Sequence, residues 1–397
     1  MIALDHFRTP LETTHFTPRL QQANRQQRWA GWAGYLSATV LDTVEQEYFA
    51  IRNQATVYDL CPMIKYRIEG PDAAAFLDRL VVRDMKKLKP GRVAYVAWCE
   101  GQGKVLDDGT VFRLDEDRFL LCCQERHLPW LHDTALGMEV RITDATAEIA
   151  ALSLQGPTSC AVLKGLRLSG VEQLRPYALA TFPFAGGELM VSRTGFTGDL
   201  GYELWIEPAK ALALWDALFE AGALHGLRPV GSEALDITRI EAGFIMTGAE
   251  FTPADKAMRA SRGRSPFELG LGWMVALDKG HFVGRRALAL EKATRSSKRA
   301  LVGLDVAGNK PAHHALLYHG RSREVGHVTS AAWSPTAKKN LALASIDAAY
   351  AGGYRSIWAD VYADKEGKWD RVEAPCRIVE RPFFNPPRRW AVPALDR

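Results

Sequence analysis

The sequence predicts an α+β protein whose chain ends in a small all-β barrel, and three observations predict this class. Residues 92–123 alternate apolar and polar side chains with period two, which is typical of antiparallel strands. A strand, a Gly-Pro pair and a helix start recur about 86 residues apart, at 70–71 and 156–157, which indicates two related halves. Short strands separated by turn residues fill 298–397, which is typical of a small barrel.

The elements can be placed in order along the chain. In the first half we expect an amphipathic helix with apolar residues at 44, 48, 49, 51 and 55, a strand at 65–70, a helix opened by Pro71, and strands at 93–98, 105–114 and 119–122. The second half has predicted strands at 149–155, 188–193 and 202–206 and helices at 158–164, 209–225 and 231–243.

The barrel strands are predicted at 300–306, 325–330, 341–346 and 358–361, and the segment 291–297 is the best candidate for a linker. We therefore expect three domains. They are 1–145, which includes a helical N-terminal segment, 146–290, and the barrel at 298–397.

Composition excludes several classes of protein. The 397 residues are 47% hydrophobic, and 50 Lys and Arg against 46 Asp and Glu leave a formal charge of +4. This balance excludes a disordered chain and a nucleic-acid binder that works through bulk charge. No apolar run reaches the ~18–20 residues of a membrane span, and residues 1–8 carry charge where a signal peptide is apolar. We expect a cytoplasmic protein that binds neither nucleic acid nor membrane.

Cysteine and histidine spacing offers no metal site. The six cysteines form no C-x-x-C pair, so we expect free, buried thiols in a reducing compartment. The histidines at 313, 314, 319 and 327 match no metal-ligand motif, and no G-x-S-x-G elbow is present. The sequence predicts no metal.

Two carboxylates stand in the first half at Asp107 and Asp108. Neighbouring side chains on a strand point to opposite faces, so at most one of them enters a given cleft. The alternative is a hairpin turn, because Asp-Gly at 108–109 between apolar residues is a common turn signal. On the residues alone the turn is the favoured interpretation.

The second half carries a glycine-rich loop before Glu203. Glycines at 195, 198 and 201 allow a close backbone approach or a sharp turn, and they match neither nucleotide-phosphate motif. Glu203 follows on a strand, where its carboxylate could accept two hydrogen bonds from the amino and ring N–H groups of a heterocycle, or could face solvent. A basic run could meet an anionic substrate tail or form a solvated face: Arg259, Arg262, Arg264, Lys279, Arg285 and Arg286.

These motifs stand in a recognisable order. The segments that contain these motifs include Leu154-Gln155-Gly156-Pro157, 193–203, Arg239-Ile240-Glu241-Ala242-Gly243, 277–285 and 325–330. With them the chain resembles the aminomethyltransferase (glycine-cleavage T-protein) superfamily of tetrahydrofolate-dependent one-carbon transferases over nearly its full length. The resemblance implies a three-domain, ring-like arrangement with folate in a central channel. Asp108 would be the catalytic carboxylate near the reacting pterin nitrogens and Glu203 the pterin anchor, and the pocket would be lined by Met63, Tyr95, Phe196 and Tyr202.

Two departures from the family pattern bear on the substrate. Leu235 replaces an arginine of the glycine-cleavage enzymes, and the segment 244–250 differs from theirs. Loss of a guanidinium removes a bidentate donor that no apolar side chain replaces. The segment 381–386 resembles the folate-dependent demethylases more than the glycine-cleavage enzymes. The resemblance thus implies an enzyme that moves a methyl group from a small methylated donor (a methoxyaromatic, a sulfonium compound or a methylamine) to tetrahydrofolate.

Two other functions stay open. One is a true glycine-cleavage aminomethyltransferase, whose partner would be a lipoyl-carrier protein. The other is a non-catalytic folate-binding protein like the iron–sulfur assembly members of the family, although the cysteine of their signature is absent from 279–286. A chain of 397 residues has room only for the folate-binding domains, so we do not expect fusion to a flavin oxidase.

Overall fold

The strands of the chain form a hairpin, two larger sheets and a closed barrel. The computed structural model describes residues 10–320, 322–352 and 356–393, so the N-terminal octapeptide behind the cytoplasmic expectation lies outside the described residues. The helices are α1 (Thr17–Ala23), α2 (Val44–Asn53), α3 (Ala73–Leu80), α4 (Leu128–Thr134), α5 (Ser159–Gly165), α6 (Ala211–Gly222), α7 (Ser232–Glu241) and α8 (Arg285–Thr294).

The first large sheet is the predicted meander with two added strands. Its order is β5-β6-β7-β4-β8, and all neighbours are antiparallel. Leucines, valines and aromatic residues on one face of this sheet pack under α3 and α4. The strands are β4 (Ile64–Glu69), β5 (Arg92–Cys99), β6 (Val105–Arg113), β7 (Arg118–Cys123) and β8 (Arg141–Asp144).

The second large sheet joins the two predicted halves. Its order is β10-β11-β12-β9-β3-β13, with only β13 parallel to its neighbour among the described pairs. The strand β3 comes from the first half of the chain, yet it pairs with β9 of the second; the domain boundaries at 145 and 290 stay predictions. The strands are β3 (Thr56–Asp59), β9 (Ala150–Gln155), β10 (Leu179–Phe184), β11 (Gly187–Ser192), β12 (Gly201–Ile206) and β13 (Arg228–Pro229). The hairpin is β1 (Arg28–Trp32) with β2 (Tyr35–Val40).

The C-terminal part closes into the barrel that its short strands predict. Six antiparallel strands follow the order β14-β17-β16-β15-β18-β19. Their inward side chains form a separate apolar core. The strands are β14 (Arg299–Val306), β15 (Leu316–His319), β16 (Arg323–Ser334), β17 (Lys339–Asp347), β18 (Ile357–Lys365) and β19 (Lys368–Val379).

Several elements differ from expectation, and β1, β2, β3, β8, β13, α4 and α8 were not predicted. The linker at 291–297 is wrong in its first part, because α8 continues to Thr294, and the α8 side chain of Leu288 is buried in an apolar cluster. The strand β10 was not predicted, since its residues do not alternate cleanly in burial. The barrel strands β15 and β19 were also missed; β15 has four residues and β19 is largely exposed, so neither carries a strong apolar pattern.

The repeated Gly-Pro pair has one structural role in both halves. Gly70 and Gly156 adopt φ values of +127° and +121°, which L side chains rarely adopt. A Cβ atom would lie 2.6 Å from the Glu139 carbonyl oxygen at the first position and 2.3 Å from the Gln54 carbonyl oxygen at the second. The glycine is thus required where each strand bends sharply into its helix.

We expect Gly156→Ala to destabilise the fold by about 1–3 kcal/mol, because it forces a side chain into a left-handed backbone against a carbonyl oxygen. The matched control is Gly101→Ala, where no atom lies within 4 Å of the added Cβ, and its effect should stay within about 0.5 kcal/mol. Urea denaturation of both variants measures the difference. Equal stability of the two would contradict this account of the repeat.

A buried ion cluster connects α2, α7 and the barrel. Arg52 donates from Nε to Glu241 at 3.0 Å and from Nη1 to the Thr197 carbonyl oxygen at 2.9 Å. Glu241 also accepts the hydroxyl of Tyr48 at 2.6 Å and that of the barrel residue Ser334 at 2.5 Å. These bonds tie α7 to α2 and to the barrel, and α7 forms one wall of a cavity.

Candidate active site

A large cavity opens where all parts of the fold meet. It has a volume of about 930 Å³, and residues of the β1–β2 hairpin, both large sheets, α7 and the barrel line it. Ligand sites of proteins usually have volumes of ~300–1,000 Å³, are largely apolar, and carry a few placed polar groups. Of the predicted site residues, Met63, Tyr95, Asp108, Phe196 and Glu203 all line this one cavity.

Asp108 enters the cavity from the middle of β6. The phenol of Tyr95 on the neighbouring strand β5 donates to its Oδ2 at 2.7 Å. The hydroxyl of Thr247, from the loop after α7, lies 3.1 Å from Oδ1 and 2.5 Å from Oδ1 of Asp107. The Thr247 hydroxyl therefore lies between the two carboxyl groups and can donate its one hydrogen to either of them.

The surroundings of Asp108 favour its protonated form. Burial, and next the negative charge of Asp107, raise its pKa to about 7, against the opposing hydrogen bonds from Tyr95 and Thr247. Burial and the Asp108 charge raise the pKa of Tyr95 well above its usual value, so the phenol stays a donor. A carboxyl group that titrates near neutrality can both release and accept a proton.

Asp107 faces the other side of β6, as strand alternation predicts. Its side chain is fully buried and accepts hydrogen bonds from the Glu125 backbone at 3.0 Å and from the His127 ring at 3.1 Å. The favoured interpretation of this pair as a hairpin turn is wrong. The chain turns earlier, at 101–103, where Gly103 has φ +76°, and β6 runs straight through both carboxylates.

Glu203 lies on β12 at the end of a chain of donors. Thr194 donates to its Oε2 at 2.5 Å, the Ser192 hydroxyl lies 2.7 Å from that of Thr194, and the Trp205 indole donates to Ser192 at 3.3 Å. Since the indole can only donate, each hydroxyl in turn donates toward the carboxylate. Burial raises the pKa of Glu203 to about 7. The Thr194 bond uses one oxygen, which leaves Oε1 available to a ligand.

The glycine-rich loop encloses a side chain of its own fold. A Cβ atom at Gly195 or Gly201 would lie within 2.3 Å of the Gln155 amide. That amide donates to the carbonyl oxygens of Thr194 and Tyr202, both at 3.3 Å. The close approach predicted for these glycines therefore serves to seat Gln155, and this holds Thr194 and Glu203 in place.

Tyr202 lies on the opposite side of β12 from Glu203. Its ring is fully buried in the apolar core under α5 and α6, and it does not line the cavity. Adjacent strand residues cannot face the same side, so Tyr202 supports Glu203 only through the strand. Tyr202 is therefore not part of the proposed site.

The predicted basic run does not reach the cavity lining either. Lys279 is buried and donates to the carbonyl oxygens of Asp78, Val81 and Arg83 at 2.6–2.7 Å. Arg264 donates to carbonyl oxygens of its own loop, from Ser261 at 3.0 Å among others. These cations hold loops together, and the expectation that they meet a substrate tail is not supported.

Several lining residues were not predicted. Thr247 and Phe244 belong to the 244–250 segment that departs from the family pattern, and the Phe244 ring stacks on that of the predicted residue Phe196, with centroids 5.7 Å apart. Trp32 of the hairpin and Tyr177 before β10 also line the cavity. The departure of 244–250 was the signal that could have identified Thr247. No local pattern marks Tyr177.

The described part of the chain contains no group of three His, Cys, Asp or Glu side chains placed to hold a metal ion. Within the same residues, no helix has both the length and the apolar character needed to cross a membrane. All six cysteines are free and buried, as their spacing predicts.

Comparison with known proteins places the chain in a family. Residues 19–279 match the GCVT N-terminal domain and residues 299–385 the glycine cleavage T-protein C-terminal barrel domain. An aminomethyltransferase of Streptomyces coelicolor is 33% identical over 95% of this chain and 97% of its own length. A trimethylamine-oxide aldolase of Ruegeria pomeroyi is 39% identical over 77% of this chain, which spans only 39% of that relative.

The fold agrees with these sequence matches. The crystal structure of the glycine cleavage system aminomethyltransferase T from Bartonella henselae superposes with a TM-score of 0.82 at 25% identity, covering 94% of this chain and 98% of that one. Together with the closed C-terminal barrel, this confirms the predicted fold class. The chain belongs to the aminomethyltransferase (glycine-cleavage T-protein) family.

Proposed function

We propose that this protein transfers a methyl group from a small cationic donor to tetrahydrofolate. One observation carries the proposal: two carboxyl groups with pKa values near 7, Asp108 and Glu203, line the same largely apolar cavity. Perturbed carboxyls that converge on a cavity are the pattern expected of a proton-transfer site with a heterocycle anchor.

The residues present fit a reduced folate. The cavity has room for a ligand of that size, and Glu203 offers a buried carboxylate that could accept the hydrogens of a pterin amino group and its adjacent ring N–H. Met63, Tyr95 and Phe196 supply the flat apolar walls that a pterin ring packs against. When bound, tetrahydrofolate would supply the nitrogen nucleophile that accepts the methyl group.

Asp108 is the group best placed to handle the proton of that nitrogen. Its ionised carboxylate would take up the proton released as the nitrogen is alkylated, and Tyr95 and Thr247 hold its two oxygens in place. The rest of the contribution is orientation, since a bound donor and acceptor need no bimolecular encounter. No residue of the chain forms a covalent bond in this scheme.

The charges of the cavity favour a cationic donor. Among the described residues that line the cavity the one arginine is Arg239, and its guanidinium already donates to both Asp236 and Glu250 at 2.7 Å. The described carboxyl groups of the lining are Glu45, Asp108, Glu203, Glu233 and Asp236, of which Glu233 pairs with Arg28 and Asp236 with Arg239, so that three stay without an ion pair among the described residues. Leu235 adds an apolar surface beside Trp32 and Tyr58, whose rings stack 6.1 Å apart. Aromatic faces and excess carboxylates attract sulfonium and methylammonium groups more than neutral methoxyaromatics. The name of the Ruegeria relative also refers to a methylated nitrogen compound.

Isothermal titration of the wild-type protein with tetrahydrofolate tests the first half of the proposal. We expect saturable one-to-one binding at pH 8. Absence of binding to the folded protein would overturn the proposed function.

Binding should also depend on pH. The pterin donors need the ionised Glu203, whose pKa of about 7 means that the carboxylate becomes protonated as the pH falls from 8 to 6. We expect the Kd of tetrahydrofolate to rise by about tenfold over this range, since one pH unit below the pKa corresponds to about 1.4 kcal/mol. Titration at pH 6, 7 and 8 measures this change, and a Kd that is constant in wild type would contradict the role of Glu203.

A second candidate function is supported by the relatives. Several are named aminomethyltransferase, with 32–34% identity over most of both chains. Under this alternative the donor is an aminomethyl group on a lipoyl-carrier protein. Leu235 argues against it, because the carrier-dependent members place an arginine there. The carrier assay described in the Discussion separates the two functions.

A further inference from the structure

The buried carboxyl group of Asp107 has more hydrogen-bond contacts than that of Asp108. Its Oδ1 accepts the Asp108 backbone N–H at 2.9 Å and lies 2.5 Å from the Thr247 hydroxyl, and its Oδ2 accepts the Glu125 N–H at 3.0 Å. The His127 ring adds a fourth contact, with Nε2 3.1 Å from Oδ2. Asp108 has two contacts, and one of them is with the same threonine hydroxyl. Since hydrogen bonds to a carboxylate favour its ionised form, the negative charge of this pair belongs on Asp107.

His127 is the side chain that can change this arrangement. It is 4% exposed, and its ring stands edge-on to Trp98 with the centroids 5.3 Å apart. Among the described residues it is the one side chain with a cationic form that pairs with Asp107. An ionised carboxylate has no hydrogen to donate, so Nε2 carries the hydrogen of this bond while Asp107 is charged. Because the ring bonds to Asp107 directly, it stabilises the anion of Asp107 more than that of Asp108.

A second, smaller cavity adjoins His127. It has a volume of about 140 Å³, and His127, Glu100, Trp130 and Asp255 are among the residues that line it. The buried indole N–H of Trp130 has no hydrogen-bond partner within the described part of the chain. A space of this volume with an unpaired donor and carboxylate acceptors accommodates water. His127 can therefore exchange protons with water on the side of β6 that Asp107 faces.

The other ionisable groups near the two carboxyls do not duplicate the effect of His127. They are two phenols, a thiol and three acids: Tyr66, Tyr95, Cys123, Glu100, Glu250 and Asp255. Burial raises the pKa of both phenols and of the thiol, so these three stay neutral near pH 7. Glu250 pairs with Arg239 and Glu125 with Lys256, each at 2.7 Å. Across the described residues none of these side chains forms a hydrogen bond with Asp107.

We propose that His127 is a positioning residue of the active site: its bond to Asp107 holds the negative charge there and leaves the exchangeable proton of the carboxyl pair on Asp108. Without this bond, Asp108 would pass its proton to the Thr247 hydroxyl oxygen while the hydroxyl hydrogen moved to Asp107. Asp108 would then be ionised without an anionic neighbour and would be a weaker base. The inference rests on the proposed function for the use of that proton, which is the one exchanged with the nitrogen of tetrahydrofolate.

The place of the proton can be measured without any folate. Nuclear magnetic resonance of protein labelled with carbon-13 at the aspartate carboxyls follows both groups from pH 5 to pH 9, and the Asp107→Asn and Asp108→Asn variants assign the signals. In the wild type we expect Asp108 to titrate near pH 7 and Asp107 to stay ionised. His127→Phe keeps a ring beside Trp98 and removes the donor. In this variant the Asp108 midpoint should fall by about one pH unit or more, the tenfold change that a charge-assisted hydrogen bond supplies, and Asp107 should titrate in its place.

Two controls accompany this variant. His127→Gln retains an N–H donor for Asp107, so its titration should match the wild type. His132→Phe alters an exposed histidine of α4 and should have no effect. If His127→Phe does not fold, His127→Ala with and without added imidazole, which can enter from the second cavity, gives the same comparison. Imidazole should then restore the wild-type titration.

The outcomes separate the role of His127 from the proposed function. Unchanged midpoints in His127→Phe would overturn this role, and so would equal shifts in His127→Phe and His127→Gln, because both would then reflect packing. A wild-type protein in which Asp107 carries the proton at pH 6 would also overturn it. In a turnover assay, the rising limb of the pH–rate profile should move toward acid pH in His127→Phe. If tetrahydrofolate does not bind, the proposed function fails, and the place of the proton is still decided by the carboxyl titration.

Discussion

Replacing Asp108 by Asn should lower kcat by about 10²–10⁴-fold, the range of a general acid–base group. The affinity for tetrahydrofolate should change by less than about threefold, because the amide keeps the shape of the carboxylate and can still accept the Tyr95 hydroxyl. Rapid-mix turnover together with a folate titration measures both quantities. Asp115→Asn, on an exposed turn where the aspartate pairs with Arg118, is the matched control and should retain wild-type activity.

A second variant separates catalysis from support of the fold. Tyr95→Phe removes a hydrogen bond that lowers the pKa of Asp108, so that pKa should rise further. The ionised carboxylate is then reached only at higher pH, and the rising limb of the pH–rate profile should move toward alkaline pH. A variant that loses activity equally at all pH values would show that Tyr95 acts through packing, and an Asp108→Asn enzyme with near wild-type kcat would remove Asp108 from the mechanism.

Replacing Glu203 by Gln should raise the Kd of tetrahydrofolate by about 10–100-fold, because a charged acceptor is exchanged for a group that presents hydrogens to the pterin donors. The fold should be unaffected, since the amide oxygen can still accept the Thr194 hydroxyl. The pH dependence of binding between pH 6 and 8 should flatten in this variant. Titration calorimetry at both pH values gives the result.

The matched control for Glu203 is Glu207→Gln. Glu207 directly follows the same strand, is mostly exposed, and pairs with Lys210 at 3.0 Å. Its substitution should leave the Kd of tetrahydrofolate unchanged. If Glu203→Gln binds tetrahydrofolate as tightly as wild type, or if both substitutions weaken binding alike, Glu203 is not the pterin anchor.

The local sequence pattern predicted most of the fold and part of the candidate site. Period-two alternation located the meander, and it required Asp107 and Asp108 to face opposite sides, as they do. The same alternation places Tyr202 and Glu203 on opposite faces of β12, so only Glu203 of these two residues implied by the resemblance lines the cavity. The Asp-Gly turn failed because the glycine-rich segment before β6 already makes the turn.

What could not be predicted depends on long-range contacts. Thr247 reaches Asp108 across 139 residues, and Arg239 pairs with Glu250 while it contacts the barrel through Ser330, 91 residues away. The order of the strands in the sheets and the position of α7 bring such partners together. A short stretch of sequence predicts neither of these two features. Motifs therefore predict the site only in part: Glu203 takes its donor from the nearby Thr194, whereas Asp108 also depends on Thr247 from a distant segment.

In the proposed reaction the methyl group of a cationic donor ends on tetrahydrofolate. The direct measurement is mass spectrometry of the folate after incubation with deuteromethyl-labelled sulfonium compounds, methylamines and methoxyaromatics, with a parallel sample that receives the aminomethylated lipoyl-carrier protein. We predict labelled methyltetrahydrofolate from at least one cationic donor and no product from the carrier. Unlabelled folate with every donor, together with folate product from the carrier sample, would contradict the account and establish the glycine-cleavage reaction.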